Sequence, residues 1–346
     1  MRSASLLILL FLTASAYGNP APEAKATDAE IREAIANLDH AQYKVRSQAV
    51  KKLLALGTAA IEPLRQAAET GSIETADRAI KIILELTVNG SDEASRTGRE
   101  ALQRLIKAKG PAREQARDAL ARIRNQAVDQ MEQLGARFHF IDDRIRAVYF
   151  DNVERLDKVL PLLREIPEIE EISLSTKKFG DAQMHHLLPL KNLKWLNLFE
   201  SDVGDESLKL LKNFPDLESI PMGHTRVTDA GLAHLVGLKK LDYLGLRGNA
   251  VTDAGLIHVA KITSLTSLTL QETKITDAGI GRLTALEKLS NVRLQNTALT
   301  DEGLLKLRDM ESLTRLDLTG SKVTAAGAEA MRQSNSSIVI ILREGD

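Results

Sequence analysis

The sequence predicts an α/β solenoid that follows an all-helical domain. From residue 143 to residue 334 the chain can be written as eight consecutive lines of 24 residues with no gap. In these lines apolar residues recur three and then two positions apart, which indicates one short strand in every line. From residue 28 to residue 134 the apolar residues instead follow the period of about 3.6 residues that is typical of amphipathic helices.

Three apolar columns define each predicted strand. They are Leu193, Leu217, Leu241, Leu265, Leu289 and Leu313; Leu196, Ile220, Leu244, Leu268, Val292 and Leu316; and Leu198, Met222, Leu246, Leu270, Leu294 and Leu318. Because side chains alternate along a strand, the residues between these columns point to the other face of the sheet. We expect consecutive strands to pair in parallel about 4.8 Å apart and to form one continuous sheet.

A Thr-Asp pair, or Gly-Asp in one line, precedes most of the short helices that we expect on the other side of each repeat. The aspartates are Asp205, Asp229, Asp253, Asp277 and Asp301. We expect each carboxylate to cap its own helix, because it can accept hydrogen bonds from the free N–H groups of the first turn. Calcium bound by the stacked carboxylates is the alternative, but such a site needs further oxygen ligands that no column supplies.

These columns and the Thr-Asp-Ala-Gly-Leu phrase resemble leucine-rich repeats. The resemblance implies a right-handed leucine-rich-repeat arc over residues 143–346, with a parallel concave sheet, short convex helices, eight repeats and a closing strand. The pattern is similar to the cysteine-containing, ribonuclease-inhibitor-like type that includes substrate receptors of ubiquitin ligases. In place of cysteine this chain has Ser201, Thr225, Asn249, Thr273, Thr297 and Ser321, which we expect to satisfy loop backbone groups. A ubiquitin-ligase role is disfavoured, because no F-box segment is visible.

Residues 28–134 form the predicted helical domain. The predicted helices lie near 28–38, 41–56, 59–69, 73–88, 92–108 and 111–134. The first pairs resemble HEAT repeats at Leu38, Asp39, Val45, Arg46, Ala49, Leu53, Leu56, Gly57, Ala60, Ile61 and Leu64. That resemblance implies a second contact surface for proteins and no catalysis.

Two strands are expected at the ends of the repeat array. Residues 135–142 should supply the first strand of a β-hairpin, whose second strand carries Ile145, Val148 and Phe150 on the 24-residue grid. The first strand would then cover an edge of the sheet that is otherwise prone to aggregation. At the other end, residues 338–342 continue the grid and predict a closing strand.

The first 27 residues and the composition predict an exported protein. Residues 1–18 combine Arg2, an apolar run from Leu6 to Leu12 and small residues at Ala14 and Ala16, which is typical of a signal peptide. Residues 19–27 form a predicted linker. We therefore expect a periplasmic or extracellular protein with no membrane span. Because the chain has no cysteine, disulfides and thiolate sites are excluded.

Three further patterns bear on chemistry. Residues 96–124 carry nine Lys or Arg against three acids, but no aromatic residue is interleaved, so solvated helix faces are favoured over a phosphate site and we expect no nucleic-acid partner. His186, His234 and His258 share a column, yet neighbouring repeats lie too far apart for them to converge on zinc. No nucleophile elbow, Walker loop or His-Glu-x-x-His motif occurs. We therefore expect a non-enzymatic protein without metal or cofactor.

The candidate site is the face of the sheet that points away from the core. We predict that its partner-binding residues are Trp195, Asn197, Phe199, Tyr243, Arg247, Gln271, Arg293 and Arg315. Aromatic residues together with arginine are typical of an interface centre, so the favoured partner is a protein or peptide. The three aromatic residues are expected to frame a shallow apolar notch over a strand with small outward residues. The alternatives are carbohydrate binding through the same rings, and rings that merely cover the sheet.

Overall fold

The computed structural model describes residues 27–342, so the predicted signal peptide and almost all of the linker lie outside the described residues. Packing divides the chain into two units, one ending at Ile123 and the other beginning at Arg124. Within residues 27–342, no helix is both long and apolar enough to cross a membrane.

The first unit is all-helical, as predicted. Its helices are α1 (Asp28–Ala36), α2 (Tyr43–Ala55), α3 (Thr58–Thr70), α4 (Ile73–Asn89), α5 (Asp92–Ile106) and the beginning of α6 (Pro111–Gln133), with one 3₁₀ turn at Asn37–Asp39. Side chains at three helix starts explain where these helices begin, because Thr27, Ser72 and Ser91 each accept a hydrogen bond from the backbone N–H three residues on. The HEAT resemblance stays a prediction.

The second unit contains one ten-stranded sheet, which confirms the predicted solenoid. Its strands are β1 (Arg137–Ile141), β2 (Arg144–Tyr149), β3 (Glu171–Ser173), β4 (Trp195–Asn197), β5 (Ser219–Pro221), β6 (Tyr243–Gly245), β7 (Ser267–Thr269), β8 (Asn291–Arg293), β9 (Arg315–Asp317) and β10 (Val339–Ile341). Neighbours in space are neighbours in sequence. β1 and β2 pair antiparallel, and every later pair is parallel.

Short helices connect the strands on the other side of the sheet. They are α7 (Leu156–Val159), α8 (Asp205–Leu208), α9 (Asp229–Leu232), α10 (Leu256–Val259), α11 (Asp277–Ile280), α12 (Asp301–Leu305) and the longer α13 (Ala325–Ser334). The 3₁₀ turns are Leu160–Glu165, Asp181–Leu187, Leu211–Asn213, Ala233–Leu235 and Gly281–Ala285. The three apolar columns of the sequence are fully buried between these elements and the sheet, in one continuous core. Such a core buries a stripe that no single repeat could bury alone.

The aspartate column joins consecutive repeats, so the expectation that each carboxylate caps its own helix was wrong. Asp253 Oδ1 accepts from the backbone N–H of Thr276 at 2.9 Å, and its Oδ2 accepts from the Thr276 hydroxyl at 2.6 Å. The same two bonds recur for the aspartate and threonine of four other steps. At α11 the threonine is the cap instead, because the Thr276 Oγ1 accepts from the Ala278 N–H at 3.2 Å. The carboxylate thereby gives a loop N–H of the next repeat its hydrogen-bond acceptor.

The glycine of the repeated phrase leaves room for this carboxylate. A Cβ at Gly279 would overlap Asp253 Oδ1 and lie 2.5 Å from the Asp253 Cβ. Corresponding overlaps with the preceding aspartate occur at the other glycines of the column, which are Gly231, Gly255, Gly303 and Gly327. The Thr-Asp-Ala-Gly phrase therefore encodes one hydrogen-bonded joint between repeats.

The buried polar column acts as expected on the loop backbone. Ser201, Thr273 and Thr297 each donate to the carbonyl three residues earlier, at 2.6–2.7 Å. Asn249 bridges two repeats, because its Nδ2 donates to Met222 O at 3.0 Å and its Oδ1 accepts from Thr225 N at 2.9 Å. These bonds fix the turn that follows each strand and hence the direction of the side chains on the sheet.

Candidate functional site

Five predicted site residues, Trp195, Asn197, Tyr243, Arg293 and Arg315, lie in strands on the concave face, defined here as the sheet face opposite the apolar columns. The other three, Phe199, Arg247 and Gln271, each follow two residues after the end of a strand. Trp195 and Tyr243 flank Ser219 in one row that crosses β4, β5 and β6. The spacing of parallel strands puts their backbones about 10 Å apart. Arg247, Arg293 and Arg315 are exposed, and the other five residues are partly exposed. No structural observation tests their role in binding, so that role stays a prediction.

One end of the face carries an aromatic corner. The ring centroids of Tyr149 on β2 and Trp195 on β4 lie 6.5 Å apart, with an angle of 59° between the ring planes. The Arg137 guanidinium lies 5.8 Å from the centroid of the Tyr149 ring. The edge-tilted rings and the stacked cation form a preorganised apolar surface that a partner side chain can cover.

A hydrogen-bond network fixes the backbone beneath this corner. Asn197 Nδ2 donates to Ser173 Oγ at 3.0 Å, and that hydroxyl donates to Asp151 Oδ1 at 2.6 Å. Asn197 Oδ1 accepts from the backbone N–H of Phe199 at 3.0 Å. Both polar ends of Asn197 are thus used inside the protein, so this residue positions Trp195 and Phe199 by holding the strand between them.

Two rings lie over glycines beside the strand where the shallow apolar notch is predicted, and the notch itself stays a prediction. A Cβ at Gly223 would come within 3.0 Å of the Phe199 ring, and one at Gly245 would come within 3.1 Å of the Tyr243 hydroxyl. The Tyr243 hydroxyl also lies 3.4 Å from Thr269 Oγ1. Small outward residues create room on the sheet, but neighbouring rings fill that room because doing so removes apolar surface from water. The rings therefore line the face itself.

A charged cluster forms the rim beside these rings. Arg247 donates to Glu272 Oε1 through Nε at 3.0 Å and through Nη2 at 2.7 Å. His224 Nε2 lies 3.9 Å from Glu272 Oε2, and its ring meets the Phe199 ring edge-on with centroids 5.4 Å apart. Arg247 is therefore already held by a carboxylate of its own chain.

Two rim residues, His224 and Glu272, have a left-handed backbone conformation, which costs most residues free energy. The same conformation, with φ between 54° and 57°, occurs at His224, Glu272, Glu200 and Asn296. They share one position of the repeat. The recurring left-handed turn directs these side chains to the edge of the concave face.

The other end of the face carries polar side chains without internal partners. We call this set the polar patch; its members are Gln271, Asn291, Arg293, Gln295 and Arg315. Among residues 27–342, none of the five side chains forms a hydrogen bond or an ion pair. The oxygens of the Asn291 and Gln295 amides are buried and unpaired. Unpaired buried acceptors are uncommon in folded proteins, and these two lie on the same face as the predicted site residues.

Sequence reasoning missed Tyr149, His224, Glu272, Asn291 and Gln295. Tyr149 lies on the second strand of the hairpin, for which the sequence pattern predicts only a place at the end of the repeat array. The left-handed turn at the rim could have been found from Gly248 and Gly320, because glycine favours that conformation and both share a column with His224 and Glu272. Their φ angles are 69° and 71°. Asn291 and Gln295 were visible as outward residues, but only the contacts show that they lack partners.

The histidines and the basic segment of residues 96–124 form no metal site in the described residues. His185 and His186 have ring centroids 4.0 Å apart, and burial, with a smaller effect of the neighbouring ring, lowers the pKa of His186. No group of three or more His, Asp or Glu side chains in the described part of the chain could hold a metal ion. In the basic segment, Arg104 lies 3.6 Å from Glu62 and Arg117 lies 2.7 Å from Glu114.

Comparisons with known proteins found one matching family model and several similar solved structures. Residues 310–331 match the family model described as Leucine Rich repeat. No curated protein matches the chain. Similar solved structures include internalin inlF of Listeria monocytogenes, at 20% identity and a TM-score of 0.41, with 54% of this chain and 51% of that chain covered.

Two further solved structures are similar. For internalin C2 of Listeria monocytogenes the identity is 18% and the TM-score 0.42, with 57% of this chain and 81% of that chain covered. For the Leptospira interrogans LRR protein LIC12759 the identity is 20% and the TM-score 0.38, with 52% and 50% covered. This chain thus spans about half the length of inlF, the first of these relatives. The 24-residue period, the parallel sheet and the matched repeat identify the second unit as a leucine-rich-repeat solenoid.

Proposed function

We propose that the concave face binds a protein or peptide and that the protein acts by binding, without catalysis. The observation that carries this proposal is the set of unpaired polar side chains on the same sheet face as a half-exposed aromatic corner. Apolar anchors supply affinity and unpaired polar groups supply orientation in protein recognition. A leucine-rich-repeat sheet offers both on one rigid surface.

The dimensions of the face support an extended partner segment. Five strand spacings separate Trp195 on β4 from Arg315 on β9, which amounts to about 24 Å. An extended chain rises about 3.4 Å per residue, so about seven residues bridge these two positions. Trp195 with Tyr149 would take an apolar side chain at one end, and the polar patch would take polar groups at the other.

Export is the second part of the proposal. It is supported by the signal-like composition of residues 1–18, where Arg2 precedes the apolar run Leu6–Leu12 and the small residues Ala14 and Ala16 follow. The expected mature protein begins near residue 19 and reaches the periplasm or the medium. Fractionation of source cells, with N-terminal sequencing of the recovered protein, tests this; an uncleaved protein confined to the cytosol would contradict it.

The binding proposal is tested by affinity capture with paired variants. Trp195→Ala combined with Tyr243→Ala should reduce the retention of protein from a source-cell lysate at least tenfold, because each ring acts as an interface anchor worth about 2 kcal/mol. The matched control is Ile257→Ala combined with Leu305→Ala, which removes two exposed apolar side chains on the convex side.

The control should retain the same proteins as the native chain. Circular dichroism must show equal folding for all three proteins. Equal capture by both double variants would contradict the concave-face assignment. Retention of neutral glycans on a glycan array, with no protein retained, would replace the proposal by carbohydrate binding.

A further inference from the structure

We infer that the polar patch recognises an acidic side chain together with the peptide groups next to it, in an extended segment of the partner. This inference rests on the proposed binding function of the concave face and specifies the chemistry of what binds there. It concerns Gln271, Asn291, Arg293, Gln295 and Arg315 on and beside β7, β8 and β9.

The two arginines of the patch differ from the other arginines of the face. Arg137 pairs with Asp151 at 3.3 Å, and Arg247 pairs with Glu272 at 2.7 Å. In contrast, Arg293 and Arg315 are exposed and have no ion-pair partner in residues 27–342. Of these four arginines, Arg293 and Arg315 are therefore the two whose charge no carboxylate of residues 27–342 pairs with.

The nearest carboxylate on the sheet is engaged elsewhere. Asp317 lies directly opposite Arg293 in the register of β8 and β9. Its Oδ1 accepts from the Thr319 hydroxyl at 2.8 Å and from the Thr319 N–H at 3.2 Å, and it forms no ion pair with Arg293. Thr319 thus holds Oδ1 of Asp317, and the Arg293 guanidinium, which forms no ion pair with it, can meet a carboxylate from outside.

The geometry allows both arginines to meet one acidic group. Arg315 opposes Asn291 in the register, so Arg293 is its diagonal neighbour, with Cα atoms about 8 Å apart from the strand spacing and the rise of two residues. Each guanidinium can present two parallel N–H donors to a carboxylate. Two such long side chains can converge on a single carboxylate above β8 and β9.

The amides around Arg293 indicate that the acid is part of a peptide. An amide side chain both donates and accepts hydrogen bonds, and a peptide group is its complement. Asn197 and Asn249 use both ends of their amides inside the protein, whereas Gln271, Asn291 and Gln295 have no hydrogen-bond partner in the described chain.

No internal bond restrains these three amides, so they can turn towards a ligand. Their oxygens require N–H or O–H donors. A neutral sugar lacks the anion that the arginines require, and a phosphate group lacks N–H donors. An acidic peptide segment supplies both.

The test uses synthetic peptides as the probe. Purified protein is incubated with an immobilised random library of peptides about nine residues long, which can cross from β4 to β9. The library lacks tryptophan and includes phosphoserine. Retained peptides should be enriched in Asp or Glu. Replacing that acid by its amide should weaken binding at least tenfold, since hydrogen bonds to charged groups are among the strong ones.

Single substitutions test the arginines and the amides of the polar patch separately. Arg293→Gln and Arg315→Gln should abolish the preference for acidic peptides, and Gln295→Met should weaken binding of every retained peptide. Methylating the backbone nitrogen next to the acid in the peptide should have a similar effect on the native protein. Arg282→Gln, at an exposed arginine outside the sheet, is the matched control and should bind as the native protein does. Thermal melts establish that each variant is folded.

Each contrary outcome has a distinct meaning. Peptides retained without any preference for acids would overturn the inference and leave the proposed function standing. Full binding by Gln295→Met would show that water serves the amide oxygens and would also overturn it. Tighter binding of phosphoserine peptides would replace the carboxylate by a phosphate. Retention of an acidic glycan and of no peptide would overturn both proposals.

Discussion

Substituting Gly279 by alanine should break one joint between repeats. The new methyl group would overlap Asp253 Oδ1, and the carboxylate would have to leave its place. It would then lose the bonds from the Thr276 N–H at 2.9 Å and from the Thr276 hydroxyl at 2.6 Å. The affected joint connects the repeat of Asp253 to the next repeat.

The expected loss of unfolding free energy is about 2–4 kcal/mol. Bonds to a charged acceptor contribute about 1.5–3 kcal/mol, and overpacking costs about 1–3 kcal/mol. The higher helix propensity of alanine offsets up to about 1 kcal/mol of this loss, because Gly279 lies in a short helix. For a unit of this size the melting midpoint should fall by roughly 10 °C.

Urea denaturation of the full chain measures this effect. Gly281→Ala is the matched control, because a Cβ there would meet only the Lys306 side chain, at 3.5 Å. In a second comparison, Asp253→Gly removes both the carboxylate and the Cβ that a methyl at position 279 would meet, so adding Gly279→Ala should cost almost nothing more. Equal midpoints for the Gly279 and Gly281 variants, or additive losses in the double variant, would refute the steric account of the repeated phrase.

Two further predictions concern Asp181 and Gly248. Burial opposes ionisation of Asp181, but hydrogen bonds from Ser207 and Gly204 and the charge of Arg226 outweigh it and lower its pKa. The stability it contributes is therefore present above the unfolded pKa, near 3.8, and is lost as pH falls through the lower folded pKa. Urea titrations across acid pH should show Asp181→Asn less stable at neutral pH and converging with the native protein in acid; a constant difference would contradict this. Gly248→Ala should destabilise by at least about 1 kcal/mol, because φ is 69° and a methyl would overlap the His224 ring. Adding His224→Ala should recover only the steric part, and full recovery would show that the backbone is not strained.

The repeat period allowed much of the fold to be predicted. Period-24 columns specify which side chains alternate into the core, so the parallel sheet follows from Leu196, Leu244 and the residues that share their column. The period cannot say which loop a polar side chain contacts. Asp253 and Thr276 are 23 residues apart, so their bond crosses between repeats and cannot be read from the local Thr-Asp pair.

The sequence predicts which side chains lie on the concave face, but it does not predict how those side chains pack against one another there. Alternation places Trp195 and Tyr243 outward, but it does not reveal that rings fold over Gly223 and Gly245. The ion pairs on this face could not be predicted either. Nothing in the sequence distinguishes Arg247, which pairs with Glu272, from Arg293 and Arg315, which form no ion pair in the described residues. These differences depend on side-chain directions across neighbouring strands, which composition and spacing do not determine.

The fluorescence of Trp195 tests the central claim most directly, because this residue is the only tryptophan of the chain and lies half-exposed on the concave face. Titration with a captured partner segment that lacks tryptophan should shift its emission to shorter wavelength and protect it from quenching by acrylamide. Saturable binding with unchanged emission and unchanged quenching would contradict the assignment of the concave face as the binding surface.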